Sequence, residues 1–167
     1  MSIPELRQLL AVVDAAYNRQ SWHGTNLRGS IRGVSVRQAV WRPSQKRHNI
    51  WELVVHAAYW RYAALRRMTS ARRGSFPLDG SNWFERGRRA GEEAWHADVA
   101  LLDQTHRALC DAIAGLAPRD LTTRPPGSTV TNFALLFGRR RLYHAGQIQL
   151  LKRLFADRGR RRQGAAM

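Results

Sequence analysis

Apolar residues recur at intervals of three and four along most of the chain, and the first stretch with this spacing lies near the N-terminus. It begins at Pro4, a residue favoured in the first turn of a helix, and runs to about Tyr17. Positions three and four apart line one side of a helix, so the pattern predicts a helix with one buried face. That face consists of Leu6, Leu9, Leu10, Val13 and Tyr17.

The second stretch has the clearest start in the sequence. Asn49 can cap a helix, and Glu52 follows it three residues later, which is the capping-box pattern. The predicted helix runs from Ile50 to about Met68. Before it, residues 21–43 are irregular and contain three glycines, and we expect a short helical piece within them.

Two further helices complete the predicted fold. A loop over residues 70–82 precedes the third helix, which runs to about Leu116, and a second loop over residues 117–130 precedes the fourth. The fourth helix begins at Thr131 or Asn132 and ends before Gly159. Because both loops are long, the four helices predict an all-α four-helix bundle with crossover connections rather than a simple up-and-down array.

Polar residues interrupt the apolar seams near the middle of this bundle. His106 interrupts the seam of the third helix, and Arg140 and His144 interrupt that of the fourth. A helix rises about 1.5 Å per residue, which puts these residues at a level similar to His56 in the second helix and to Gln147. Burying such groups costs several kcal/mol unless each finds a partner. The cluster therefore predicts either a binding site or a set of hydrogen-bonded core residues.

Composition adds a strong positive charge to this picture. The 167 residues suffice for one domain with its own core, which we predict over residues 1–157, followed by a basic, disordered tail over residues 158–167. The net charge is +16, and all but two of the 28 basic residues are arginine. Because the arginines are scattered without a recognition motif, we interpret them as a solvated surface, and nucleic-acid binding is the least favoured function.

The remaining composition bears on the compartment. Cys110 is the only cysteine, so no internal disulfide can form. No apolar run is long enough to span a membrane, and the N-terminus lacks the pattern of a secretory signal. We therefore expect a cytoplasmic protein with no membrane partner.

Two runs of sequence resemble the signatures of a known family. The run from His48 to Trp60, HNIWELVVHAAYW, resembles the second-helix signature of the DinB/YfiT-like superfamily. The run from Tyr143 to Lys152, YHAGQIQLLK, resembles the fourth-helix signature of the same superfamily. The segments 21–24 and 39–43 also match its pattern, so the resemblance extends over about residues 5–156.

This resemblance implies an up-down-down-up four-helix bundle, a homodimer, and a divalent metal, commonly zinc or nickel, held by three histidines. Position by position, His56 matches the ligand from the second helix, and His144 matches one of the two ligands from the fourth. The other fourth-helix ligand falls on Arg140. A guanidinium stays protonated and has no lone pair to give to a metal, so the implied metal site is degenerate.

Three arrangements of this site are open at the level of sequence. In the preferred one no metal binds, and Arg140 fills the space. In the second the site binds a small anion or carboxylate, which suits the bidentate geometry of arginine. In the third His106 or His23 supplies the missing metal ligand. Arg140, Gln147 and Trp60 are the residues predicted to contact a small-molecule ligand.

The predicted function divides in the same way. The resemblance implies a metal-dependent hydrolase or a thiol-dependent transferase that acts on a small molecule, and it leaves open whether this chain is an enzyme at all. The alternative is a non-catalytic bundle that binds a small-molecule anion without a metal.

Overall fold

The structure of the chain is a computed structural model, and it describes residues 4–19, 24–72, 74, 76–80, 82–87, 91–125, 131 and 141–164. These residues form seven helices and no strand, which confirms the all-α prediction. In chain order the helices are α1 (Pro4–Tyr17), α2 (Leu27–Ser30), α3 (Val36–Ala39), α4 (Ile50–Met68), α5 (Glu92–Ala114), α6 (Pro118–Thr122) and α7 (Arg141–Gly164).

The four long helices pack around one another in a closed order. Helix α1 packs against α5 and α7, and α4 packs against the same two helices. The short helices α2 and α3 cover this group, with α2 against α1 and α7 and α3 against α4. The up-down-down-up order of directions and the homodimer stay predictions. Within the described ranges, no helix has the length and apolar character that crossing a bilayer requires.

Two apolar clusters fill the interior. The larger one surrounds α4, where Trp51 is fully buried. Its indole N–H donates to Asp98 Oδ2 on α5 at 2.6 Å, and its ring meets Trp95 edge to face with centroids 5.3 Å apart. The smaller cluster joins α1, α4 and α5 and consists of Leu6, Leu9, Val13, Ala64, Leu109 and Ile113. Burying each large apolar side chain of this kind stabilises the fold by roughly 1.5–3 kcal/mol.

The bounds of α1 and α4 agree with the sequence prediction, whereas the predicted start of the third helix was wrong. That helix, α5, begins at Glu92 rather than directly after residue 82. The reason is tertiary, because the loop over residues 82–87 is tied to the start of α4. The Arg86 amide donates to Glu52 Oε1 at 3.4 Å, and the Arg86 carbonyl accepts from Asn49 Nδ2 at 2.9 Å.

The connection after α5 also differs from the predicted loop over residues 117–130. It contains the short helix α6, which starts with Pro118 and is capped by Asp120, whose carboxylate accepts from the Ala117 amide at 2.8 Å. The predicted start of the fourth helix cannot be compared, because residues 132–140 lie outside the described ranges. At its other end α7 continues to Gly164, past the predicted end before Gly159.

The carboxylate of Glu52 organises the start of α4. It is 4 % exposed and accepts two hydrogen bonds from the guanidinium of Arg42 and one from His48 Nδ1 at 3.0 Å. It also accepts from the backbone of Asn49 at 3.4 Å, completing the predicted capping box. Burial alone would raise the pKa of Glu52, but the hydrogen bonds from Arg42 and His48 outweigh it and hold the pKa below its ordinary value.

Glu52→Gln should lower the free energy of unfolding at pH 7 by about 2 kcal/mol, because it removes the charge that pairs with the half-buried guanidinium of Arg42. A carboxyl whose pKa falls on folding stabilises the fold above its unfolded pKa and loses this effect as the pH drops. The difference between wild type and variant should therefore narrow below the ordinary pKa of 4.5. Urea unfolding at several pH values measures it.

The exposed Glu85 provides the matched control for this measurement, since Glu85→Gln removes a carboxylate from the same region. It should change stability by less than about 0.5 kcal/mol at any pH. An equal loss of unfolding free energy in both variants would show that the hydrogen bonds of the buried Glu52 carboxylate do not stabilise the fold.

Candidate functional site

The structure brings His56 and His144 together, one from α4 and one from α7. Their ring centroids lie 5.0 Å apart, and the rings are nearly perpendicular at 88°. Both side chains belong to the interior, with exposed fractions of 0 % for His56 and 5 % for His144. We call the space around these two imidazoles the His56–His144 pocket.

Oxygen acceptors place a proton on Nδ1 of both rings. His56 Nδ1 lies 2.7 Å from the backbone carbonyl of Asn82, and His144 Nδ1 lies 2.8 Å from Gln147 Oε1. A carbonyl oxygen can only accept, so each Nδ1 carries the proton and donates it. The neutral form of each ring then has its lone pair on Nε2, and both Nε2 atoms are shielded from solvent. Metal-binding histidines are oriented by partners of this kind.

Aromatic side chains frame the pocket. Trp83 stacks on His56 with centroids 3.8 Å apart and also stacks on His48 with centroids 3.6 Å apart. Trp60 approaches His56 edge to face at 6.2 Å. Because Trp83 is 37 % exposed, the pocket lies close to the surface on this side.

The loop that supplies Asn82 and Trp83 needs a glycine to make its bend. Gly80 has a φ of 147°, and a Cβ at this position would lie 2.8 Å from the ring of Phe84. Phe84 is buried against the core, so it cannot move aside at low cost. The bend, together with the contacts of Arg86 to α4, sets where the Asn82 carbonyl meets His56.

His106 lies with a different set of residues, between α1 and α5. Its Nε2 is 2.9 Å from Asp14 Oδ1 and 3.5 Å from Cys110 Sγ, and its ring stacks on Tyr17 with centroids 3.8 Å apart. Among the described residues, the metal-binding atoms of the three histidines 56, 106 and 144 do not all lie within 4.8 Å of one another. The structure therefore does not bring His106 to the His56–His144 pair.

Tyr17 is itself fixed by an ionic cluster on α2 and α5. Its hydroxyl donates to Asp103 Oδ1, which also pairs with Arg28 Nε at 3.0 Å. Burial, and then the hydrogen bond to Asp103, raise the pKa of the Tyr17 hydroxyl well above its usual range, so the phenol is neutral at any physiological pH. The buried guanidinium of Arg61 lies 4.9 Å above the same ring.

Two residues predicted for the site, His23 and Arg140, lie outside the described residues. Of the others, Gln147 and Trp60 both contact the histidine pair. Sequence reasoning missed Asn82, because it acts through its backbone carbonyl, and it missed Asp14, whose role depends on the packing of two helices. Cys110 follows His106 by four residues, and this helical spacing is a sequence signal for the second cluster.

Comparison with known proteins agrees with the fold. The family model of the DinB superfamily matches residues 19–148, which is most of the chain. The chain therefore belongs to the DinB superfamily, as the runs around His56 and His144 predicted. No curated protein and no solved structure matches it.

The hydrogen bonds to Nδ1 predict the tautomers of both histidines. Long-range ¹H–¹⁵N correlation spectra at neutral pH should show the Nδ1–H tautomer for His56 and His144, with the exposed His96 as a reference ring. Gln147→Leu should remove the acceptor and release His144 from this tautomer without changing His56.

Gln147→Glu is the control for that substitution, because it keeps an oxygen at the same place and should keep the tautomer of His144. A wild-type protein with the proton of His56 on Nε2 would show that the Asn82 carbonyl does not orient this ring.

Proposed function

We propose that this DinB-superfamily protein binds a small acidic molecule, a thiol or a carboxylic acid, in the His56–His144 pocket. The pocket has two of the three histidines that the family resemblance implies for a metal centre, and position 140 carries arginine. Two imidazole lone pairs can fill two coordination positions of a metal ion, whereas a guanidinium can fill none and its charge repels a dication. The residues present do not fit a metal centre with three histidine ligands, and the proposed chemistry does not use a metal.

The fixed orientation of the two rings is the observation that carries this proposal. With each Nδ1–H donated to an oxygen, Nε2 of each neutral ring can accept a proton and cannot donate one. A thiol or a carboxylic acid supplies such a proton. The imidazolium that results would stabilise the anion left behind, and so would an arginine charge four residues before His144 in sequence.

Of the two activities implied by the resemblance, thiol transfer suits this chemistry better. An imidazole base can generate a thiolate, with the S–H proton moving to Nε2 and the charge remaining on sulfur. Metal-dependent hydrolysis requires a metal-bound water, and arginine at position 140 removes one of the ligands that would hold the ion. The proposal therefore favours thiol binding or thiol transfer over hydrolysis.

The family resemblance assigns the third metal ligand to position 140, so Arg140→His should exchange the ligand preference of the pocket by replacing a cation with a third imidazole. In a Cys110→Ala background, which removes the only thiol of the chain, it should tighten Zn²⁺ binding roughly tenfold or more. Binding of 2-mercaptoethanol should weaken by a similar factor. The imidazole ¹⁵N resonances of His56 and His144, followed during titration with each probe, report both changes within the pocket.

Arg140→Gln is the matched control, because it removes the charge without adding a ligand. It should lose thiol binding and gain no affinity for Zn²⁺. The proposal fails if the resonances of His56 and His144 do not respond to 2-mercaptoethanol in the parent protein. It also fails if the parent pocket binds Zn²⁺ as tightly as the Arg140→His variant.

A further inference from the structure

A second group of metal-binding side chains lies where α1 packs against α5. It consists of Asp14, His106 and Cys110, and we call it the Asp14–His106–Cys110 cluster. The imidazole Nε2 lies 2.9 Å from Asp14 Oδ1 and 3.5 Å from Cys110 Sγ, and all three ligand atoms lie within 4.8 Å of one another. His106 is 4 % exposed, and Asp14 and Cys110 are half-buried, so the cluster lies at the edge of the interior rather than on the open surface.

The fold holds the three side chains in place from several directions. His106 and Cys110 are four residues apart on α5, so both side chains lie on the same face of that helix. Tyr17 stacks on the imidazole at an interplanar angle of 25°, and the hydrogen bond of its hydroxyl to Asp103 anchors the stack. The imidazole plane is therefore set before any ligand arrives, which lowers the entropic cost of binding.

The geometry differs from that of a proton relay. In a relay the acid and the nucleophile contact opposite nitrogens of the histidine ring. Here Asp14 and Cys110 both approach the same atom, Nε2 of His106. Three donor atoms that converge on one point are what a chelated ion requires.

The distances suit a tetrahedral transition-metal ion. Ligands at about 2.0–2.1 Å for nitrogen or oxygen and about 2.3 Å for sulfur lie roughly 3.2–3.6 Å apart around zinc. The observed separations of 2.9 Å and 3.5 Å need only small shifts to reach these values. One nitrogen, one thiolate and one carboxylate favour zinc or cobalt over magnesium or calcium, which prefer oxygen ligands alone.

Charge and access also support an ion at this place. A carboxylate and a thiolate together supply two negative charges, which offset the repulsion of a dication by a chain of net charge +16. Arg19 pairs with Asp14 through the other carboxylate oxygen, Oδ2, at 3.1 Å, and so leaves Oδ1 directed at the imidazole. The Asp14 side chain is 36 % exposed, which gives solvent a route to a fourth position.

We infer that the Asp14–His106–Cys110 cluster is a transition-metal site, distinct from the His56–His144 pocket, that binds zinc or a similar ion through three protein ligands and keeps one position for water. This inference does not depend on the proposed function. A three-ligand site with an open position is the pattern of ions that polarise a bound water or substrate.

Cobalt provides a test that reports this site alone. Co²⁺ added to the untagged, metal-depleted 167-residue protein should bind with a stoichiometry of one and produce thiolate-to-cobalt charge-transfer absorption in the near ultraviolet. Cys110 is the only cysteine, so no other site in the chain can give this band. Zn²⁺ should displace the cobalt and remove the absorption.

Substitutions then identify the ligands. Cys110→Ser, which is nearly isosteric, should abolish the band, and Asp14→Asn and His106→Gln should each weaken Co²⁺ affinity roughly tenfold or more. His56→Gln is the matched control, because it removes an interior histidine of the other pocket and should leave band and affinity unchanged. Circular dichroism checks that each variant is folded.

Three results would overturn the inference. The first is the absence of the charge-transfer band at equimolar Co²⁺. The second is unchanged affinity in both Asp14→Asn and His106→Gln, which would mean that the thiol binds without its neighbours. The third is loss of the band in His56→Gln. None of these results bears on thiol binding by the His56–His144 pocket, which is measured in the Cys110→Ala background.

Discussion

The buried carboxylate of Glu52 is the constraint on which the His56–His144 pocket depends. It caps α4 and pairs with Arg42, and it also accepts from the backbone amide of Arg86, which belongs to the loop that precedes α5. Arg86 in turn pairs with Asp98 on α5 at 2.7 Å, so the loop is tied to two helices at once. Four residues earlier the same loop presents the Asn82 carbonyl to His56. A capping interaction of α4 is thus connected, through this loop, to the hydrogen bond that keeps a proton on Nδ1 of His56.

The two candidate sites differ in which imidazole nitrogen contacts neighbouring side chains or backbone. In the pocket between α4 and α7, the Nδ1 atoms of His56 and His144 are engaged by oxygens, so the chemistry of both rings lies on Nε2. In the cluster between α1 and α5, Nε2 of His106 already faces a carboxylate and a thiol. The His56–His144 pocket suits a ligand that can donate a proton to Nε2. The Asp14–His106–Cys110 cluster suits a cation that all three side chains coordinate. The stacking partners Trp83 and Tyr17 fix the ring planes in both.

Features encoded locally could be predicted from the sequence, and those that depend on tertiary contacts could not. The start of α4 follows from its capping box, and the burial of His106 and His144 follows from their positions in the apolar seams. The predicted start of α5 was wrong, because the contacts of Arg86 with α4 keep residues 82–87 from forming a helix. The pairing of His106 with Asp14 could not be predicted, because the axial position of a residue estimated from the sequence is accurate to about one helical turn, and Asp14 lies on a different helix.

Solvent exchange of the His56 Nδ1 proton measures the link between Glu52 and the pocket most directly. In the wild type this proton should exchange slowly, because the loop over residues 82–87, which Arg86 ties to α4 and α5, holds the Asn82 carbonyl against it. Glu52→Gln should accelerate the exchange roughly tenfold or more by releasing the loop, and it should leave the Nδ1 proton of His144 unchanged, since Gln147 on α7 holds that ring. Equal exchange rates at His56 in wild type and variant would contradict the account.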